Sequence, residues 1–372
     1  MEKIRFVTRK IEFRSLLLIF SLVLIMSIMA ACGDNDSQSA ESASGADTAS
    51  VTKTTPVTST ATSAPQPTAT SIPTATATVI PTTNTEISAD QSLPVTVINA
   101  DGSEVTVKDT SKIVVLTGDY AEIVFALGLG DSVIAVDTSA TFPPEATARP
   151  KIGYQRSLSA EGILAFEPTL LIGSTEAGPP EVLDQIAQAG VPVVIFETEP
   201  TIEGSADKIR KIANALGVKS VGEQVATAME SEVEEAKTLA ATAQGMPPTA
   251  VFVYMRGVDT LLMAGIGDIS ADLFDNAGAI SGGVKAGVFG FAPLTAEALV
   301  TASPDYIVVF ESGLESVNGI EGMLEIPGIA QTPAGKNEAI VAFDGQYFAG
   351  GGPRTGKALK DLVLVLHPEL NN

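Results

Sequence analysis

Short apolar runs alternate with amphipathic stretches along most of the chain, starting near residue 93. The runs have the length and β-branched content of buried strands, and the stretches between them have helical spacing. This alternation predicts an α/β fold with parallel strands. In the first half, the expected strands are 112–116, 132–136, 169–172 and 191–196, Pro180–Gln188 is an expected helix, and Val95–Ile98 with Glu104–Val107 form an expected hairpin around Asp101-Gly102.

A long helical segment separates two such α/β regions. Residues 203–243 have helical periodicity almost throughout, with a break expected at Gly217, and the β/α alternation restarts after Pro247-Pro248. The sequence therefore predicts two Rossmann-like α/β lobes joined by one long helix, at 93–217, 218–247 and 248–372. The elements expected in the second lobe are strands 250–254, Tyr306–Phe310 and 339–342 and helices Ile269–Asn276 and Thr355–Leu366.

An internal repeat supports two lobes of one design. Residues 158–172 (LSAEGILAFEPTLLI) parallel residues 294–308 (LTAEALVTASPDYIV). Each copy has leucine first and then a residue type that caps helices, and places a glutamate in the first turn, where the helix dipole favours a carboxylate. The predicted caps are Ser159 and Thr295, and the glutamates are Glu161 and Glu297.

The first 92 residues have a different texture. Basic residues precede an apolar run at 16–31, which is too short to span a bilayer comfortably, and the chain's single cysteine, Cys32, follows at once. This order resembles a bacterial lipoprotein signal, which implies lipidation of Cys32 and a signal peptide at 1–32; the alternative is a short membrane anchor with an incidental cysteine. Residues 33–92, rich in Ser, Thr, Ala and Pro, predict a solvated tether.

Composition excludes several classes of function. The 372-residue chain has a formal net charge of -22 and a pI near 4.3, so nucleic-acid phosphates would repel it. One Cys and one His cannot build a zinc finger, a disulfide framework or a Cys–His nucleophile pair. We therefore expect a protein that is not an enzyme.

Four stretches of residues 111–368 resemble a known family. They are FPPEATARPKIGYQRSLSAEGILAFEPTLLIG, EAGPPEVLDQIAQAGVPVV, GIAQTPAGKNEAIVAFDG and GGGPRT. Together they resemble class III substrate-binding proteins of bacterial ABC importers, which carry cobalamin, siderophores or haem, and most closely the haem-binding proteins of haemin importers. The resemblance implies a two-lobed fold that captures haem as transported ligand and delivers it to a permease dimer with its ATPase, from the outer face of the cell membrane. The alternatives are a siderophore or cobalamin binder of the same fold and, in another class, a stalked adhesin or scaffold.

Ferric haem needs an axial donor, and tyrosinate is one that suits Fe(III). In the resembling haem binders, the tyrosine of the GYQR motif is the ligand, which assigns that role to Tyr154; the alternative is an ordinary loop tyrosine. Another branch uses Tyr-x-Arg with a histidine in the opposite lobe, which points to Tyr254 with Arg256 as the supporting cation. Here Tyr154 stands in place of the histidine, so one or both tyrosines are candidates; the alternative for Tyr254 is a core tyrosine.

Haem also needs cations for its propionates and apolar walls for its faces. The candidate cations could each be surface charges instead, and each wall candidate could belong to the core. The resemblance also implies that one acidic residue per lobe docks on the permease, a role for Glu161 and Glu297 beside helix capping. The cations are Arg156, Arg256 and Arg354, and the walls are Met263, Phe289, Phe291 and Tyr347.

Overall fold

The computed structural model describes residues 91–371. The predicted signal peptide with Cys32 and nearly all of the predicted tether lie outside these residues. Between residues 91 and 371, no helix has the length and apolar character needed to cross a membrane.

The first lobe contains a hairpin and a four-stranded parallel sheet of order β4-β3-β5-β6. The strand pairing confirms the parallel arrangement predicted for this lobe. The central strands are covered on both faces, as is usual for parallel sheets. Its strands are β1 Val95–Ile98, β2 Glu104–Val107, β3 Ile113–Val115, β4 Val133–Val136, β5 Leu170–Ser174 and β6 Val193–Phe196; its helices are α1 Gly118–Ala126, α2 Pro144–Thr147, α3 Ala160–Leu164, α4 Pro180–Gln188 and α5 Ile202–Ala215.

The long helix α6, Lys219–Ala240, follows a break at Gly217, as predicted. Gly217 has a positive φ of 73°, a conformation that glycine adopts without steric cost. Helix α6 packs closely on its predecessor, since a Cβ on Gly222 would lie 2.1 Å from the Cβ of Ala213. The last helix of the chain approaches it as closely, because a Cβ on Gly356 would lie 2.4 Å from the Cβ of Glu232.

The second lobe contains a mixed sheet of order β10-β8-β7-β11-β12, with β9 beside β7. The sequence predicted only parallel strands here. A turn at Gly257, with φ of 61°, folds the chain straight back into an antiparallel partner, and a third antiparallel strand forms the edge. The strands are β7 Thr249–Arg256, β8 Thr260–Ala264, β9 Ile280–Ser281, β10 Phe291–Pro293, β11 Tyr306–Phe310 and β12 Ile340–Phe343; the helices are α7 Ile269–Asn276, α8 Gly282–Lys285, α9 Ala296–Ala302, α10 Glu311–Ser316, α11 Gly319–Leu324, α12 Pro333–Lys336, α13 Gly345–Ala349 and α14 Thr355–Leu366.

The largest apolar cluster joins the two lobes. It includes buried residues of α1, α5, α6 and α14 together with one face of the second sheet, including Phe252 and Val308. The opposite face of that sheet packs on a separate cluster that contains Val253 and Met255. The two faces of β7 therefore have different functions: one contributes to the interlobe region and the other to the interior of the second lobe.

The repeated helices begin as the sequence predicts. Ser159 Oγ accepts a hydrogen bond from the Gly162 amide at 3.3 Å, and Thr295 Oγ1 accepts one from the Ala298 amide at 3.1 Å. Each cap satisfies a backbone donor that the first helical turn would otherwise leave unpaired.

Candidate functional site

Strand β7 carries a row of functional side chains to its carboxyl end. The alternation of a strand places Phe252, Tyr254 and Arg256 on one face, as predicted. The ring of Tyr254 packs edge-on between those of Phe291 and Phe310, with centroid distances of 6.1 Å to each. Tyr254 is therefore half-buried among aromatic rings near the carboxyl end of β7.

Tyr154 lies in the first lobe, in the loop between α2 and α3. The Ile152 amide donates to the Val136 carbonyl at 2.9 Å, and the Thr138 amide donates to the Gly153 carbonyl at 3.0 Å. Gly153 has a positive φ of 93°, which turns the chain directly before the tyrosine. The backbone thus fixes the loop at the start of the GYQR motif.

Arg256 brings the two tyrosines into one site. Its guanidinium carbon lies 5.4 Å from the ring centroid of Tyr154 and 5.9 Å from that of Tyr254. Within residues 91–371, neither tyrosine hydroxyl makes a hydrogen bond. Two phenol groups with no internal partner and one shared cation form a donor set suited to an oxidised metal centre, such as the iron of a porphyrin.

Aromatic side chains line the second-lobe side of this site. Phe310 contacts Phe252 at a centroid distance of 4.9 Å and ends strand β11 beside β7. Sequence reasoning missed Phe310, although its place at the carboxyl end of a parallel strand is a usable signal. Phe291, predicted as a wall, is 46% exposed and contacts Tyr254, whereas Phe289 is 74% exposed and contacts neither tyrosine ring.

Met263 does not line the site. It lies opposite Val253 in the β7–β8 pairing, so its side chain points to the face away from Tyr254 and is fully buried. The assignment of Met263 to a pocket wall is corrected here, and Leu262, which pairs with Tyr254, is the β8 residue on the site's face.

Arg354 and Tyr347 belong to a different cluster. Arg354 donates through Nε and Nη2 to the two carboxylate oxygens of Glu122, each at 2.8 Å, and its guanidinium carbon lies 3.8 Å from the ring centroid of Phe142 and 4.9 Å from that of Tyr347. Tyr347 donates its hydroxyl to Asp361 at 2.8 Å; its burial, together with this bond, raises the pKa of the phenol. The role of Arg354 as a propionate cation is therefore corrected, because its guanidinium is engaged by Glu122, whereas the role of the Tyr347 ring as a pocket wall stays a prediction.

The third candidate cation, Arg156, follows Tyr154 by two residues. It forms an ion pair with Glu176, and more than half of each side chain is exposed. Exposed ion pairs of this kind contribute about 0–1 kcal/mol, so the partner can be exchanged for another carboxylate at little cost. Arg156 remains a candidate for binding a propionate.

The glutamates of the repeat occupy matched positions, one in each lobe. Glu161 is the second residue of α3 and Glu297 the second of α9, and both are exposed. Over the described part of the chain, neither forms an ion pair. Both carboxylates are available to cationic groups of another molecule.

A buried carboxyl group lies close to the start of the Tyr154 loop. Asp137 directly follows β4 and is fully buried; Ser139 Oγ donates to its Oδ1 at 2.8 Å and accepts from the Gly118 amide at 2.9 Å. Its Oδ2 has no partner among residues 91–371. Burial raises the pKa of Asp137 to about 6, and the neighbouring Asp119 adds to the effect.

Comparisons with known proteins cover both lobes. A family model described as periplasmic binding protein matches residues 113–347. The solved periplasmic heme-binding protein RhuT from Roseiflexus sp. RS-1, in apo form, is 46% identical with a TM-score of 0.68, over 70% of this chain and 100% of that chain. An uncharacterized ABC transporter substrate-binding lipoprotein of Bacillus subtilis, YvrC, is 26% identical over 288 residues, 74% of this chain and 86% of its own. A vitamin B12-binding protein of Vibrio cholerae serotype O1 is 22% identical over 255 residues, 68% of this chain and 88% of its own.

Proposed function

The chain belongs to the periplasmic binding protein family, and from this premise we propose that it is the haem-capturing component of an ABC importer. Haem is its transported substrate, bound between the two lobes, and the protein carries out no catalysis. The main observation behind this proposal is that Arg256 lies against both Tyr154 and Tyr254. One site therefore has two oxygen donors, which come from opposite lobes. The 46% identity to a heme-binding protein supports this choice of substrate.

The tyrosines supply the iron ligands. Ferric haem offers a Lewis-acidic iron that binds a phenolate oxygen, and Tyr154, Tyr254 or both provide it. The positive charge of Arg256 stabilises the resulting anionic oxygens. Phe291 and Phe310 cover the apolar faces of the macrocycle from the second lobe, while Arg156 binds a propionate at the rim.

Delivery requires a second surface. Glu161 and Glu297 present one carboxylate from each lobe, and we assign them to cationic pockets on the permease dimer that works with an ATPase. Lipidation at Cys32 holds the protein at the outer face of the cell membrane, and residues 33–92 serve as its tether.

Hemin titration followed by the visible spectrum tests the proposal. The wild type should bind hemin saturably and show the charge-transfer band of a tyrosinate-ligated ferric complex. Tyr154→Phe and Tyr254→Phe should each weaken binding and alter the band, and the double variant should lose it. Tyr306→Phe, which changes a tyrosine at the amino end of β11, is the matched control and should behave as wild type.

Three outcomes would contradict the proposal in different ways. A free-hemin spectrum with the wild type would favour an adhesin or scaffold. Saturable binding of cyanocobalamin or a ferric siderophore that displaces hemin would favour the related substrates, which the similarity to a vitamin B12-binding protein makes worth testing. An unchanged band in the double variant would refute the tyrosine assignment alone.

A further inference from the structure

A compact polar cluster connects the two lobes near the substrate site. We name it the interlobe clasp and define it by Glu122, Thr141 and Phe142 of the first lobe with Gln346 and Arg354 of the second. Its central ion pair is well shielded: the side chain of Glu122 is 5% exposed and that of Arg354 is 18% exposed. The bidentate geometry of this pair fixes the direction of both side chains, which a single-point contact would not do.

Gln346 completes the clasp by bonding to both of its first-lobe parts. Its Nε2 donates to Glu122 Oε2 at 2.8 Å and to the Phe142 carbonyl at 2.9 Å. Its Oε1 accepts from the amides of Thr141 at 2.8 Å and of Phe142 at 3.1 Å. All polar atoms of this side chain are thus used between lobes.

The glycine-rich segment that precedes Arg354 makes this approach possible. Gly351 has a φ of 58°, and a Cβ there would lie 2.6 Å from Ser205 Oγ; a Cβ on Gly352 would lie 3.5 Å from the Glu122 carboxylate. Lys208 donates from Nζ to the Gly350 carbonyl at 2.7 Å, adding a further bond between the lobes. The GGGPRTGK sequence resembles a phosphate-binding loop, but Ala358 stands where that motif needs Ser or Thr, and here its glycines fit against the first lobe.

The clasp is connected to each tyrosine through intervening residues. On the second-lobe side, Gln346 lies on α13, whose Phe348 packs on Phe252 at a centroid distance of 5.4 Å, and Phe252 precedes Tyr254 on the same strand face. On the first-lobe side, Thr141 and Phe142 precede helix α2 and Tyr154 follows it, and the Thr138 amide ties the two ends of this segment together by donating to the Gly153 carbonyl at 3.0 Å. Movement at the clasp therefore changes the distance between the two oxygen donors.

We propose that Glu122, Gln346 and Arg354 are positioning residues that set the separation of Tyr154 from Tyr254 and Arg256, and thereby let one substrate contact both lobes. The identity of the ligand in this inference rests on the proposed function. The mechanical part, in which the clasp sets the separation of the lobes, does not. Packed interfaces have discrete arrangements, so a loosened clasp populates separations at which only one tyrosine reaches the iron. If the competent separation falls to about a tenth of the population, apparent affinity falls about tenfold.

The test uses two variants. Glu122→Gln keeps the side-chain shape but removes the charge, and Arg354→Lys keeps the charge but loses the bidentate hydrogen bonding of the guanidinium. The matched control is Glu230→Gln, because Glu230 also bonds Arg210 through both carboxylate oxygens, yet between α5 and α6. Hydrogen exchange without hemin reports the clasp through the Thr141 and Phe142 amides, and hemin titration reports affinity and the tyrosinate band. Circular dichroism verifies that each variant is folded.

We expect faster exchange at 141–142, about tenfold weaker hemin binding and an altered band in both clasp variants, and none of these changes in the control. Unchanged exchange would overturn the mechanical part, and faster exchange with unchanged affinity and band would overturn the positioning role. A wild type that exchanges as expected but binds no hemin would refute the proposed function and leave the clasp as a purely structural device.

Discussion

The guanidinium carbon of Arg256 lies 5.4 Å from the centre of the Tyr154 ring, although the two residues come from different lobes. A cation over an exposed aromatic face contributes about 0.5–1 kcal/mol to stability, more when water is excluded. Its larger effect here is on any anionic oxygen that binds between the lobes, since one positive charge serves donors on both sides. Arg256 is therefore the residue at which the two halves of the site meet.

Replacing Arg256 by Gln should weaken hemin binding by about tenfold, corresponding to about 1.4 kcal/mol. Without the cation, the anionic ligand oxygens are less stabilised, so the tyrosinate band should disappear at a higher pH during acid titration than it does in the wild type. Arg256→Lys should retain most of the acid resistance because it retains the charge. Acid titration of the three hemin complexes, followed by absorbance, measures the shift. An equal loss of acid resistance in both variants would show that stacking, rather than charge, is the contribution of Arg256.

Sequence periodicity predicted the elements well but not the contacts between lobes. Helix Ile269–Asn276 and strand Tyr306–Phe310 were predicted with their observed limits, because their apolar spacing and flanking turn residues are local signals. Met263 was misplaced because one unrecognised hairpin decides which face a β8 residue occupies. Arg354 was misassigned because its partner, Glu122, is 232 positions away and has no local signature.

The close approach of α5 and α6 predicts a strong effect at Gly222. In Gly222→Ala, the new Cβ would meet the Ala213 Cβ at 2.1 Å, so the helices must separate; overpacking of this kind costs about 1–3 kcal/mol of unfolding free energy. Urea unfolding followed by circular dichroism measures it.

Gly162 provides the matched control, because the second copy of the repeat has Ala298 at the same position. A Cβ there would meet only the Ser159 side chain, at 3.6 Å. Gly162→Ala should stabilise the protein by about 0.4–1 kcal/mol, because alanine lowers the conformational entropy of the unfolded chain. Equal destabilisation by both substitutions would contradict the packing argument.

Charge reversal at the repeat glutamates should separate delivery from capture. Glu161→Lys and Glu297→Lys should leave hemin affinity unchanged but weaken binding to the permease, reconstituted in nanodiscs, by more than about tenfold, because a like charge would face its cationic pocket. ATPase stimulation should fall in parallel. Glu203→Lys is the control, since Glu203 is also an exposed first-turn glutamate on a capped helix. If Glu203→Lys weakened docking as strongly as the other two, only the overall charge of the protein would matter.

The buried carboxyl of Asp137 predicts an unusual pH dependence of stability. Burial raises its pKa to about 6 from an ordinary value of 3.8, so between these pH values the folded state holds a proton that the unfolded state has lost. The stabilisation that this group gives the folded state is therefore complete below about pH 3.8 and is lost as the pH rises toward 6. The free energy of unfolding falls by about 3 kcal/mol over this range. Asp137→Asn cannot titrate, so its unfolding free energy relative to wild type should increase by that amount from about pH 4 to about pH 7. Asp109→Asn should show almost no change over this range, because hydrogen bonds from Ser111 lower the pKa of Asp109 and place its pH dependence below about pH 4. Urea unfolding at both pH values measures the differences, and a pH-independent difference for Asp137→Asn would mean that the buried carboxyl ionises as it does in water.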